Sequence, residues 1–299
     1  MPRPAAWHHG QLRTTSSRTM TMPITLKRRS FTGVLLAASL PGCAVLAPTA
    51  AVDVPRLRAA VAGGHRSAAN RARDAARHPL ETLQFFGLAP SHQVIELSPG
   101  GGWYTEILAP YLRGQGRLYA AGESASDANE YRRRGRQNFD AKLAREPALY
   151  SEVLVGLLPR TPRFADIAPP GGADAVLTFR NVHNWIEAGH LDATLQAAFA
   201  VLKPGGVLGV EEHRAPPGKS TEWIAKNGYV TEALMVERAE AAGFRLAARS
   251  EVNANPLDTK DHPNGVWSLP PTLRGGDVDR ARFVAIGESD RFTHRYVKP

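Results

Sequence analysis

Hydrophobic positions along the chain follow two alternating periods: short apolar runs with strand character, and longer stretches with one apolar helical face. From Ser67 the pattern is helical, with Ala68, Ala69, Arg71, Arg73 and Ala75 as good helix formers. Pro79 breaks that run and starts a second helix at its first turn. In it Leu80, Leu83 and Phe86 form a buried stripe, and Gly87 closes it. Strands are then predicted at 93–97, 117–121, 153–157, 173–179, 207–210, 244–250 and 292–298. Helices are predicted at 104–112, 129–143, 191–202 and 230–242. Pro204-Gly205-Gly206 ends the third of these, because proline cannot extend a helix and glycine accepts positive φ. Strands that alternate with helices imply an α/β fold with a seven-stranded, mostly parallel sheet covered by helices on both faces. No internal repeat and no second hydrophobic core interrupts it, so 67–299 is expected to be one domain. The stretch 44–66, which opens rich in Ala, Pro and Val, reads as a tether. The loop 256–276, rich in Pro, Gly and Asp, is long enough to suggest a functional or disordered segment.

Charge changes the picture at the N-terminus. The chain of 299 residues has a net charge of +9, but residues 1–43 carry six basic side chains and no acid. Without them the balance is 31 basic to 28 acidic residues, a net charge of +3. That gives no support to a nucleic-acid partner. Lys27-Arg28-Arg29-Ser30-Phe31, the short apolar run 31–40 and Leu40-Pro41-Gly42-Cys43 have the layout of a signal segment ending in a lipobox. Arg28-Arg29-Ser30-Phe31 also resembles a twin-arginine export signal. The expectation is lipidation at Cys43 and an envelope location, exported and membrane-attached only through that anchor; the alternative is a cytoplasmic protein. Residues ahead of Met20 and Met22 read as neither signal nor domain, so translation is expected to start at Met22. A single cysteine excludes an intramolecular disulfide.

The most specific chemistry lies at Val94-Ile95-Glu96-Leu97-Ser98-Pro99-Gly100-Gly101-Gly102-Trp103. A buried strand ends in an acid, glycines make the turn, and a helix follows. Ligands of open α/β sheets bind at such strand ends, where glycines let the backbone approach closely. A dinucleotide site would need another glycine where Thr105 stands, and its pyrophosphate would be repelled by Glu96. The acid suits a cationic amine instead. The segment resembles motif I of class I methyltransferases, with Glu96, Ser98, Gly100 and Gly102 at the acid and glycine positions. Asp174-Ala175-Val176-Leu177 resembles their fourth strand, and Lys203-Pro204-Gly205-Gly206-Val207-Leu208 the turn before their fifth. From about residue 73 to 299 the chain also resembles a bacterial group of predicted methyltransferases known mainly from sequence. That likeness rests on Arg77-His78-Pro79, Pro99 to Thr105, Phe179 to Trp185, Glu212-His213-Arg214 and Gly265 to Pro271.

The resemblance implies a Rossmann-like fold and S-adenosylmethionine as cofactor, held by Glu96, Ser98, Gly100, Gly101, Gly102, Tyr104, Glu123 and Asn181. Ser98 replaces a glycine, which a small hydroxyl residue tolerates if φ stays negative. The ribose-binding acid should fall at Gly122, so Glu123 stands one residue late. Methyl transfer is an in-line displacement, and its proton-accepting group belongs beside the ends of strands four and five. His183 is the catalytic candidate, since an unperturbed histidine titrates at ~6.5. Trp185, Glu212 and His213 are candidate contacts to a small-molecule acceptor, with Glu211 and His213 sent to one side of the strand and Glu212 and Arg214 to the other. Arg73, Arg77 and His78 are candidates to cap the site, although a charged helical face explains Arg73. Asp258, Asp261 and His262 form a loose acid/histidine cluster that matches no strong metal signature, and no metal is expected. The rival to the enzyme is an envelope-anchored, non-catalytic binding protein, because S-adenosylmethionine is made in the cytoplasm.

Overall fold

A computed structural model describes residues 51–299 apart from Ala165 and Pro169. Cys43 and the signal segment lie outside the described residues. The described chain runs α1 (Val54–Val61), α2 (Ala68–Arg71), α3 (Asp74–Arg77), α4 (Pro79–Phe86), β1 (Gln93–Leu97), α5 (Thr105–Leu112), β2 (Arg117–Gly122), α6 (Glu130–Arg145), α7 (Pro147–Tyr150) and β3 (Leu154–Leu157). It continues with β4 (Ala173–Phe179), α8 (Val182–Glu187), α9 (Leu191–Val201), β5 (Leu202–His213), α10 (Thr221–Asn227), α11 (Glu232–Ala241), β6 (Arg245–Ser250), a 3₁₀ turn (Gly265–Ser268), α12 (Arg280–Ile286) and β7 (Arg291–Val297).

The seven strands form one sheet in the order β3-β2-β1-β4-β5-β7-β6. Every pairing is parallel except those of β7, which runs antiparallel to both β5 and β6. Strand order reverses direction between β1 and β4, so the ligand-binding crevice of such a sheet falls there. The two faces follow strand alternation. On β1, Val94 joins a core with Leu83, Phe86, Ile107 and Leu108, while Ile95 and Leu97 join the opposite core with Leu195, Ala198 and Met235.

Residues 54–66 are not a tether. Asp53 caps α1 by accepting from the Arg56 amide at 3.0 Å, and Pro55 sits in its first turn, where its missing N–H costs nothing. Leu57 is fully buried against α4 and α5, and Arg66, also buried, pairs bidentately with Asp74 at 2.7 Å. Leu57→Ala is expected to cost about 2–5 kcal/mol, the range for emptying a buried leucine site. A urea midpoint unchanged from wild type would return this segment to the status of a tether.

Four further short helices escaped the sequence pattern: α7 spans four residues, and α8, α10 and α12 are each six or seven residues long. The expected helix from Ser67 is two pieces, α2 and α3. The fifth strand is longer than expected because Lys203 to Gly206 lie within it. The 256–276 stretch is pinned to the sheet end. Asp258 accepts from Tyr229 Oη, the Lys260 amide, His262 Nε2 and the Asp290 amide. Asp258 and His262 are therefore a buried structural pair, and Asp261 stands apart on the surface, where it accepts from Thr259.

Candidate functional site

The glycine turn leaves β1 at the switch point. Gly100 and Gly102 have φ of 56° and 75°. A Cβ on Gly102 would also meet the Phe139 ring at 3.1 Å. Gly100 and Gly101 are exposed, so their backbone is open to a ligand. Ser98 does not keep a negative φ: it stands at 52°, the left-handed region that costs a non-glycine residue about 1–2 kcal/mol. Its amide donates to the Ala121 carbonyl at 2.7 Å, which ties the turn to β2 and holds Ser98 in that conformation.

Glu96 points to the α5 face and is 2% exposed. Thr105 Oγ1 donates to its carboxylate at 2.6 Å. Burial pushes its pKa up to about 7, against the smaller opposing effects of Thr105, Lys142 and Arg180. Lys142 stands over the turn, donating to the carbonyls of Gly101 and Gly102 at 2.9 and 3.2 Å. Glu123 lines a cavity of about 250 Å³ at the ends of β2 and β3, together with Gly122, Asp127, Leu158 and Arg160. Its carboxylate accepts from Arg160 at 2.8 Å.

Three expected site residues are held in contacts within the fold. Tyr104 lies inside, its ring stacked on Phe179 with centroids 3.5 Å apart and its hydroxyl donating to Glu211 at 3.1 Å. The first turn of α5 packs directly on the sheet and carries Tyr104 inward, where it is buried. Trp185 is core, because α8 turns Val182 and Trp185 to the same buried side at a spacing of three. Its indole N–H reaches Ser98 Oγ at 3.4 Å. Asn181 commits its amide nitrogen to the carbonyls of Phe179, Ser98 and Leu97, at 3.1, 3.3 and 3.4 Å, and so ties β4 to the end of β1.

His183, Glu212 and His213 do come together. Glu212 is fully buried and accepts from the Val182 amide at 2.6 Å, the His213 amide at 2.8 Å and His183 Nδ1 at 3.1 Å. The rings of His183 and His213 are 5.4 Å apart. His213, the last residue of β5, brings a ring nitrogen within 4.8 Å of donor atoms of Glu212 and His183. Its Nδ1 is 2.5 Å from Ser289 Oγ. Burial, with His183, Arg180 and Arg291 nearby, holds the His213 pKa well below the usual histidine range, so the ring is neutral. Trp267, 6.0 Å from His183 between centroids, walls the cluster.

Glu211 belongs to a second buried set that the sequence pattern did not reveal. Arg180 pairs with Glu211 at 2.9 Å and Arg291 with Glu211 at 3.3 Å. Arg291 continues to Glu288 at 3.0 Å, and Glu288 to Arg77 at 2.9 Å and Arg73 at 2.7 Å. Arg73 and Arg77 thus anchor α3 to the strand end. His78, at φ 41°, turns the chain from α3 into α4. The only sequence signal for Arg180 was its place right after the fourth strand; for Arg291 and Ser289 there was none.

No protein-family model matches the chain. Nor does any curated protein match it. Among solved structures, a S-adenosylmethionine-dependent methyltransferase from Aquifex aeolicus is similar in fold, with 16% identity and a TM-score of 0.51, covering 76% of this chain and 93% of that one. The [4+2]-cyclase SpnF is similar at 18% identity and a TM-score of 0.53, covering 82% and 92%. The chain has the class I methyltransferase fold. In this methyltransferase fold β1 carries the glycine turn, and β4 and β5 carry His183, Glu212 and His213 beyond their carboxyl ends. The two similar structures are described by different activities, so the fold alone does not specify chemistry and the site must.

Proposed function

We propose that the protein transfers a methyl group from S-adenosylmethionine to a small-molecule acceptor. The observation that carries this reading is the buried acid and open glycine turn at the β1/β4 switch point, beside a buried His183–Glu212 pair. Glu96 receives the cofactor's ammonium, the backbone of 100–102 cradles its amino-acid portion, and the cavity beside Glu123 takes the adenosine. The acceptor lies against His183, which Glu212 orients as proton acceptor or direct contact. The phrases shared with the bacterial group of predicted methyltransferases support the same assignment. Export and lipidation at Cys43 remain part of the proposal, supported by residues 27–43 alone. An unmodified mature peptide spanning Cys43 in the membrane fraction would exclude the anchor.

Titration of S-adenosylmethionine and S-adenosylhomocysteine into the purified protein tests the reading, with micromolar binding expected. His183→Ala is expected to lower kcat about 10²–10⁴-fold, the usual worth of a positioned proton acceptor, while cofactor affinity stays within about threefold. Full turnover in that variant would remove His183 from the chemistry. One observation favours a second reading, a non-catalytic binding protein: the Glu123 carboxylate is held by Arg160 rather than free for a ribose. Absence of cofactor binding to folded protein would select it.

A further inference from the structure

The His183, Glu212 and His213 cluster has the composition of a metal site, with donor atoms close enough to converge on one ion. One donor atom from each residue lies within 4.8 Å of the others. With bonds of ~2.1 Å, neighbouring donors are about 3.0 Å apart in an octahedral site and about 3.4 Å apart in a tetrahedral one. The 3.1 Å between His183 Nδ1 and Glu212 Oε1 fits an adjacent pair. The set is two imidazoles and one carboxylate, which selects divalent transition metals over magnesium or calcium.

A second observation concerns orientation. Metal-binding histidines usually donate their other ring N–H to an oxygen, which fixes the ring. Ser289 Oγ, buried and 2.5 Å from His213 Nδ1, supplies that partner and leaves Nε2 facing the cluster. Glu212 keeps the Val182 amide on its other oxygen, so it can turn Oε1 to an ion without losing all its donors. Arg180 and Arg291, the cations near His213, are both paired with Glu211.

We propose that His183, Glu212 and His213 bind a divalent transition-metal ion, with open positions for the oxygen of a hydroxyl-bearing methyl acceptor. The inference deepens the methyl-transfer reading and rests on it for the role of the ion, though not for binding. To bind an ion, His183 would carry its ring proton on Nε2 and present the Nδ1 lone pair, and the ion would lower the pKa of a bound hydroxyl, whose proton would leave to water. The oxyanion's electron pair then forms the new O–CH₃ bond as the S–CH₃ bond breaks, and the sulfonium becomes a neutral thioether. Loss of turnover in His183→Ala follows with or without the ion, so metal binding has to be measured directly.

The full chain, stripped with a chelator and dialysed, is titrated with Co²⁺ followed by visible absorption, and with Zn²⁺ by calorimetry. One equivalent is expected to bind at micromolar strength or tighter, and Mg²⁺ is expected not to compete. His213→Asn and Glu212→Gln should each weaken binding at least about 100-fold, and Ser289→Ala about 10-fold. His213→Asn keeps the buried carboxylate and its backbone donors, so it serves if Glu212→Gln fails to fold. Folding is checked by circular dichroism, and cofactor binding by S-adenosylhomocysteine titration. Binding that survives unchanged in folded His213→Asn, as adventitious binding elsewhere on the chain would, overturns the site; so does no Co²⁺ band in wild type. Metal binding without S-adenosylhomocysteine binding would instead keep the site and defeat the methyl-transfer reading.

Discussion

Arg291→Met is expected to destabilise the protein by about 3–5 kcal/mol, because it leaves buried carboxylates without their counter-charge. Arg291 is 1% exposed and bridges Glu211 at 3.3 Å to Glu288 at 3.0 Å, while also donating to the Ala76 carbonyl. Methionine matches much of the volume, so the loss reports charge rather than a cavity. Removing Glu211 and Arg291 together should cost less than the sum of the two single losses, since the double variant strands fewer charges. Urea unfolding of the single and double variants measures this. A single-variant loss below about 1 kcal/mol would show that the chain from Arg180 to Arg77 is solvated rather than buried. The network joins α3, β5, β7 and the residue after β4, so its loss should also displace Arg180 from the strand end.

Cofactor binding is expected to strengthen as pH rises through about 7 and to release a proton. Glu96 has its pKa raised from the ordinary carboxylate value to about 7 by burial. In the free protein its ionised form is disfavoured, so the stability it contributes is present below the unfolded value and is lost as pH climbs from there through 7. A bound ammonium reverses the preference and pulls the proton off. Calorimetry at pH 6 in buffers of different ionisation heat reads that release directly. Thr105, Lys142 and Arg180 already favour the carboxylate, and the shift to about 7 stands in spite of them. Glu96→Gln keeps the shape and the Thr105 contact, and is expected to weaken S-adenosylmethionine binding about 10–100-fold, equivalent to about 1.5–3 kcal/mol for a hydrogen bond to a charged group. A Glu96→Gln variant that binds with wild-type affinity and no pH dependence would remove Glu96 from the cofactor site.

The order of elements was legible because it rests on local rules. Strand periods, the end of α9 just before Pro204-Gly205-Gly206 and the acid-glycine turn after β1 are each set within ten residues or so, and the seven strands stand in the predicted order, although Lys203 to Gly206 join β5 and several short helices were not foreseen. The seven-stranded, mostly parallel sheet follows from that alternation, because a crossover helix between parallel strands leaves few other arrangements. His183, Glu212 and His213 were picked out by chemistry and by position after strands four and five. That they share one buried cluster was decided only when β4 and β5 paired and brought residues 29 or 30 positions apart within hydrogen-bonding distance. Tyr104, Trp185 and Asn181 carried side chains suited to a binding site, yet packing drew the two aromatics into the core and turned the amide onto backbone carbonyls. The burial of Arg66, Arg180 and Arg291 has no local signature, since a buried charge becomes tolerable only beside partners that tertiary structure supplies. The sequence by itself therefore determined the strand–helix alternation and the chemistry at the end of β1. Which charges are buried, that residues 54–66 pack as a helix and buried arginine, and which histidines meet a carboxylate came only with the folded chain, because those depend on contacts between residues far apart in sequence.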